Sequence, residues 1–205
     1  MSEHRYAAGM GHREDLLEGA KFCLLEKGFA ATTARDIVRE SGANLASIGY
    51  HYGSKDALLG RAYVALVEEM DLRPPEGAPG ADAPPGTLAH FRATWEAVLA
   101  SFPAQRAVWR LSFEMVLFGD RWPAARDVLI ASQPAGRAGL LAAFTGLDED
   151  ALPPELVETE GRFHLTLLNG LILQWLFDPE SATTAERLTE GVRSFLVRVW
   201  EYGED

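Results

Sequence analysis

The chain has 205 residues, 47% hydrophobic and 24% charged, with a net charge of −11, a balance ordinary for a globular protein with one core or two small ones. A single cysteine, Cys23, excludes an internal disulfide and fits a reducing cytoplasm. The longest apolar run, Phe163 to Phe177, is interrupted by His164, Asn169, Gly170 and Gln174, so no stretch reads as a membrane span. The first fifteen residues are polar and do not read as a secretory signal. The acidity is uneven. Residues 1–60 hold seven Lys/Arg against eight Asp/Glu, and residues 61–205 hold twelve against twenty-two. That distribution argues against unspecific nucleic-acid binding by the whole surface, yet leaves the N-terminal part free to place its cations on one face.

Helical spacing dominates, with no strand-like alternation and no internal repeat. Arg13 to Lys27 carries Leu16, Ala20, Cys23 and Leu24 on one side, and Gly28 is expected to stop that helix. Thr33 with Asp36 resembles a capping box, Asp replacing the usual Glu, and opens a short helix to about Glu40. Gly42 fits the position after its end. Asn44 is placed to cap a second short helix, Leu45 to Tyr52, which Gly53 ends. Ser54 caps a longer one, with Asp56 in its first turn, running to about Asp71.

From Leu72 to Gly86 the chain has five prolines and three glycines, which no helix tolerates; this stretch is expected to be a flexible connection. Helices follow over Thr87 to Phe102, Pro103 to Phe118, and Trp122 to Phe144 with a break near Pro134–Gly136. Asp148 to Pro154 reads as a loop. Pro154 to Phe177 is a long apolar helix, and Thr183 with Glu186 is expected to cap a last one to about Tyr202. The fold class is therefore all-α with about nine helices, divided into residues 1–60 and residues 61–205 with the Pro/Gly-rich stretch at about 72–86.

Two short helices joined by a tight glycine-containing turn and packed on a preceding helix form a helix-turn-helix, whose second helix enters the DNA major groove. On helical spacing Ile37, Val38 and Ile48 point inward, while Asn44, Ala46, Ser47, Tyr50 and His51 fall mostly outward. The small residues Ala46, Ser47 and Gly49 allow close approach to the groove floor. Thr33, Tyr50, His51 and Lys55 suit phosphate oxygens. Asn44 and Ser47 suit base edges, Asn matching adenine.

The segment from Arg13 to Leu59, with "GFAATTARDIVRESGAN" and "SIGYHYGSKDALL", resembles the DNA-binding domain of tetracycline-repressor (TetR) family regulators. The run His51–Tyr52–x–Ser54–Lys55–x–x–Leu58 is its most specific part. The resemblance implies a three-helix DNA-binding domain, a connecting fourth helix, and a C-terminal helical domain that binds a small molecule and dimerises through its last two helices. It also implies a double-stranded DNA operator, a homodimer and an effector as partners, with no cofactor and no metal. The family commonly has Tyr at the position of Gly49, where it reaches phosphate; here the tyrosine stands one place later, as in a subgroup with the same pattern. Leu45 has two readings. Spacing with Ile48 makes it core, and family register puts it against a thymine methyl.

In the C-terminal two-thirds, aromatic stripes at helical spacing are either plain core or the walls of a cavity between helices. The candidates for an effector site are Phe91, Trp95, Trp109, Phe113, Glu114, Phe144, His164 and Leu168. Glu114, inside "LSFEMVLF", either pairs with Arg110 at the surface or is buried and needs a partner. His164, Asn169 and Gln174 either meet a ligand or satisfy one another across a dimer. Leu171, Trp175, Leu188, Val192, Phe195 and Val199 are the candidates for an isologous two-fold interface. The five histidines form no H-E-x-x-H or E-x-x-H pair, and there is neither a phosphate loop nor a G-x-S-x-G elbow, so an enzyme is not expected. Two alternatives stand beside the regulator: a DNA-binding adaptor that senses a protein, and a helical small-molecule-binding enzyme or carrier.

Overall fold

The computed structural model describes the backbone of residues 3–202 and the side chains of residues 12–201. In chain order the helices are α1 (Glu3–Ala31), α2 (Ala34–Ser41), α3 (Leu45–Tyr52), α4 (Lys55–Glu68), α5 (Leu88–Ser101), α6 (Arg106–Phe118), α7 (Pro123–Thr145), α8 (Pro154–Leu156), α9 (Arg162–Phe177) and α10 (Ala185–Tyr202). Short 3-10 turns lie at Gly119–Arg121 and Glu149–Ala151, and a π-turn at Val157–Gly161 joins α8 to α9. No strand occurs among the described residues.

Packing divides the chain into two units. The first comprises residues 1–70 with 107–133, and the second residues 71–106 with 134–205. A division at residue 60 therefore does not describe the packing: α6 and the first half of α7 belong with the first four helices. In that first unit Leu16, Ala20, Leu24, Phe29, Ile37, Leu58, Leu59 and Ala125 make a fully buried core. Phe29 is its aromatic centre, 5.6 Å from the Trp122 ring and 6.2 Å from Tyr63. The Tyr63 hydroxyl shares a hydrogen bond of 2.5 Å with Ser112, tying α4 to α6. Gly60 permits α4 to lie against α7, because a Cβ there would stand 2.9 Å from the Ala125 Cα, closer than carbon atoms pack. Buried Lys21 donates to Glu18 at 2.9 Å and to Glu69, joining α1 to the end of α4.

The second unit buries Trp95, Val98, Phe102, Leu140, Leu141, Phe144, Leu168, Leu171 and Ile172. Residues 72–86 are not a loose tether. Successive turns close with hydrogen bonds from Ala78 to Pro75, Ala81 to Ala78, Ala83 to Gly80 and Thr87 to Pro84. Gly80 lies so close to α5 that a Cβ there would sit 3.1 Å from the Ala89 carbonyl oxygen.

Three local expectations change. Helix α7 runs unbroken through Pro134. Proline removes one rung of the helix, but Pro134 and Ile130 are exposed, so water can serve the freed carbonyl while neighbouring rungs persist. The cap of α10 is Thr184, not Thr183: the Thr184 hydroxyl accepts from Arg187 N at 3.2 Å. Thr183 instead donates from its hydroxyl and its amide to Gln174. Finally, α6 starts at Arg106 rather than Pro103.

Candidate functional site

The helix-turn-helix is assembled by short-range chemistry. The Thr33 hydroxyl accepts from Asp36 N at 3.2 Å and donates to Asp36 Oδ2 at 2.7 Å, while Thr33 N donates to the same oxygen at 3.1 Å. This reciprocal pairing satisfies the free N–H groups at the start of α2. The buried Asp36 carboxylate also takes Lys27 Nζ at 2.7 Å and Arg39 at 3.0 Å. Lys27 first, then the Thr33 hydroxyl and amide, hold its carboxyl well below the usual carboxylate range. Helix α2 stops at Gly42, whose φ of 68° is left-handed, a conformation that costs glycine little. Asn44 Oδ1 then accepts from Ser47 N at 3.0 Å and starts α3.

Ile37 and Ile48 face inward, as the spacing predicts, with Val38 half-buried beside them. Outward on α3 stand Leu45, 56% exposed, with Ala46, Gly49 and Tyr50, 85% exposed. A side chain at Gly49 would meet nothing within 4 Å. Ser47 and His51 are half-buried, and the His51 ring meets Tyr50 edge-on at 4.8 Å. Thr33 is exposed at the start of α2. Lys55 is half-buried; its ammonium donates to the Thr32 carbonyl at 3.2 Å and lies 3.1 Å from Asp56. Tyr52 anchors α3 to α1 by donating its hydroxyl to the Arg13 carbonyl at 2.8 Å.

One residue that fixes this geometry lies far along the chain. At Gly28 the backbone turns to φ 76°, ψ 179°, so α1 is broken there and Phe29–Ala31 form a separate turn. The Glu114 carboxylate on α6 accepts from Phe29 N at 3.1 Å and Ala30 N at 2.9 Å. It caps that turn as a carboxylate caps a helix N-terminus. Gly28 is doubly required, because a Cβ would strain its φ and lie 2.7 Å from Glu114 Oε2. Thr32, buried beside it, donates to the carbonyls of Gly28 and Cys23.

The eight candidate effector residues fall in different places. Trp109, Phe113 and Glu114 lie in the first unit, on α6. Phe91, Trp95, Phe144, His164 and Leu168 lie together in the second. There His164 stacks on Phe144 with ring centres 3.9 Å apart and planes 13° from parallel. Trp95 stands 5.2 Å from Phe144 and 6.2 Å from His164; Phe91 stands 5.8 Å from Phe144 and 6.0 Å from His164. Burial pushes the His164 imidazole down to a pKa of about 4, so it is neutral near pH 7. Asn169 and Gln174 are exposed.

Of the six candidate interface residues, Leu171 is only 4% exposed and packs within its own unit. Trp175 is half-buried against Phe102 at 5.7 Å, with Arg106 over its ring. Leu188 and Val192 are half-buried, and Phe195 and Val199 are exposed. The outward apolar side of α9 runs instead through Phe163, Leu173 and Phe177, the last 91% exposed, and that of α10 includes Trp200 at 86%. Phe163, Gly170, Leu173 and Phe177 recur at intervals of seven, three and four. That signal was present in the sequence but overlaid by the apolar residues of the opposite side.

A short crossing helix, a glycine turn and an outward second helix, held on α1 and α4, define a helix-turn-helix DNA-binding protein. Residues 16–62 match the family described as bacterial regulatory proteins, tetR family. The chain belongs to that family and is a DNA-binding transcription regulator. No protein of curated function matches it in sequence. Among solved structures it is similar to the multidrug binding protein EbrR complexed with proflavin, at 22% identity and a TM-score of 0.56, covering 89% of this chain and 98% of that one. EbrR complexed with imidazole gives 23% and 0.59, covering 89% and 93%. A protein of Pseudomonas aeruginosa PAO1 described as a transcriptional regulator gives 24% and 0.53, covering 91% and 89%. These likenesses extend the shared fold over the whole chain. No helix of the described residues is long and apolar enough to cross a membrane.

Proposed function

We propose that this regulator is a homodimeric repressor that leaves a palindromic operator when a small apolar or aromatic effector binds its second unit. The observation that carries the reading is the open face of α3, with Leu45, Ala46, Gly49 and Tyr50 outward and Ile48 holding the helix to the core. Small residues and an unencumbered tyrosine suit close approach to a groove and a phosphate contact. Thr33, Asn44, Ser47, His51 and Lys55 complete the DNA face in this reading. Asn44 already spends its carbonyl oxygen on the cap, so its amide N–H₂ is the group that addresses a base. Leu45, exposed, is the contact for a thymine methyl.

Two-fold pairing follows from the bare apolar sides of α9 and α10: Phe163, Leu173 and Phe177 with Phe195, Val199 and Trp200. Aromatic surface on that scale favours a self-complementary partner. The effector reading rests on the ring cluster of Phe91, Trp95, Phe144 and His164, with Leu168 beside it. EbrR, similar in fold, is a multidrug binding protein complexed with proflavin. An effector acts by binding more tightly to the conformer that fits DNA poorly.

Selection of bound sequences from a random DNA pool should return an inverted repeat. Tyr50→Ala should then weaken binding to all selected sequences alike and flatten the salt dependence, whereas Asn44→Ala should change the preferred bases. Selection that yields no common sequence would remove the DNA reading.

A further inference from the structure

We infer that the effector is an uncharged planar heteroaromatic molecule carrying both a hydrogen-bond acceptor and a donor, seated in the ring cluster between His164 and Phe144 and held by the Trp95 indole N–H. The inference rests on the reading that the second unit binds an effector, and names the chemistry of what it binds. Its basis is a set of polar atoms inside an aromatic cluster that the protein leaves unpaired. Trp95 is fully buried, and its Nε1–H has no hydrogen-bond partner. His164 is buried, and its Nδ1 has none. His90, one turn before Thr94 on α5, is buried with Nε2 at 3.3 Å from the Ala143 carbonyl oxygen. Only an N–H can meet a carbonyl oxygen this way, so Nε2 carries the proton. Its Nδ1 is then a lone-pair acceptor, and it too is unpaired.

Each such group, left without a partner, costs about 1–3 kcal/mol, and folded proteins keep few of them. Three at one cluster, among rings, have the composition of a ligand site: apolar walls with a small number of placed polar groups. The Trp95 N–H asks for an acceptor, and His90 Nδ1 asks for a donor. The parallel His164–Phe144 pair at 3.9 Å shows that the site accommodates face-to-face stacking, so a flat ring inserted there keeps a face against each. Charge is excluded by what surrounds the rings. Among the described residues no Asp, Glu, Lys or Arg belongs to the cluster. The carboxylate next to Trp95, Glu96, is turned to Arg92 at 2.7 Å on the surface. His164 stays neutral, so it neither repels nor balances an ion. A buried cation would lack a counter-charge, and the Trp95 N–H would present its positive end to it.

Two tricyclic fluorophores of the same outline separate the possibilities. Acridone is neutral, with a carbonyl acceptor and a ring N–H donor; proflavin is a cation at neutral pH. Binding to the free protein is measured by calorimetry, and the Trp95 indole N–H resonance is followed in a nitrogen-correlated spectrum. Acridone should bind at least tenfold more tightly than proflavin and should move that resonance. Trp95→Phe should cut acridone affinity about tenfold and leave proflavin affinity as it was; His164→Phe, which keeps a stacking ring, provides a second variant should the first misfold. Proflavin binding as tightly as acridone, an indole resonance unmoved at acridone saturation, or no acridone binding up to its solubility limit would each overturn the inference. Release of operator DNA is scored separately. Acridone that seats on Trp95 without releasing DNA supports the assigned chemistry and counts against effector control. Release by proflavin alone overturns the chemistry and leaves effector control standing.

Discussion

The two units of this molecule treat buried polar groups in opposite ways. In the helix-turn-helix unit, Lys21, Thr32, Asp36 and Glu114 each reach a partner on another element or across a break in the chain. There the polar atoms set the positions of α1, α2, α4 and α6. In the other unit Trp95, His90 and His164 each keep a nitrogen without a partner inside an aromatic cluster. A scaffold that must hold one geometry closes its hydrogen bonds. A unit that must respond to something else leaves some of them open, at a cost that a bound molecule can offset.

The largest expected effect breaks the first side of that contrast. Phe29→Ala removes the ring between Tyr63 and Trp122 and should lower stability by about 3–5 kcal/mol in urea unfolding. Next comes pH. His164 titrates near 4 when folded and near 6.5 when unfolded. Between these values the unfolded chain binds a proton the folded one refuses. Stability is therefore full above about pH 6.5 and falls as pH drops toward 4, by up to roughly 3 kcal/mol. His164→Phe should erase that slope. The depressed Asp36 carboxyl works in a lower window: its contribution is present above about pH 4 and disappears only on further acidification. Unfolding curves across pH should thus resolve the two units. Glu114→Ala leaves two amides uncapped and should cost about 2 kcal/mol, with faster hydrogen exchange at Phe29 and Ala30 as its signature. The smallest effect is Thr33→Ala, about 1 kcal/mol from the loss of one helix cap, visible in the same unfolding series.

What could be read from the residues alone follows the range of the interaction. The Thr33–Asp36 box, the Asn44 and Ser54 caps and the turn at Gly42 are decided within four residues, and each stands where the sequence puts it. The same reading placed α10's cap one residue early, because Thr183 and Thr184 offer the same hydroxyl and only a distant Gln174 distinguishes them. Glu114 was legible as an unusual carboxylate in an apolar helix, but not as a cap, since its partners lie about 85 positions away. The ring cluster was half legible. Phe91, Trp95, Phe144 and His164 were among the eight candidates, yet nothing in helical spacing separates them from Trp109 and Phe113, which pack in the other unit. Leu171 and Phe177 sit on one apolar run, and an apolar run hides which side faces outward.

The π-turn at Val157–Gly161 bears on that last ambiguity. Its backbone angles at Val157 and Gly161 are those of an ordinary helix, and the coil passes through it into α9 without a break. Buried Arg137 grips it through Glu158, which also pairs with Arg162. A wider loop of backbone holds one residue more than a regular turn, and one residue is about 100° of rotation around the axis. Deleting a single residue from this stretch would wind α9 round by that angle. His164 would swing away from Phe144, while Phe163, Leu173 and Phe177 would leave the outer side. A local irregularity five residues long thereby sets the phase of both surfaces at once.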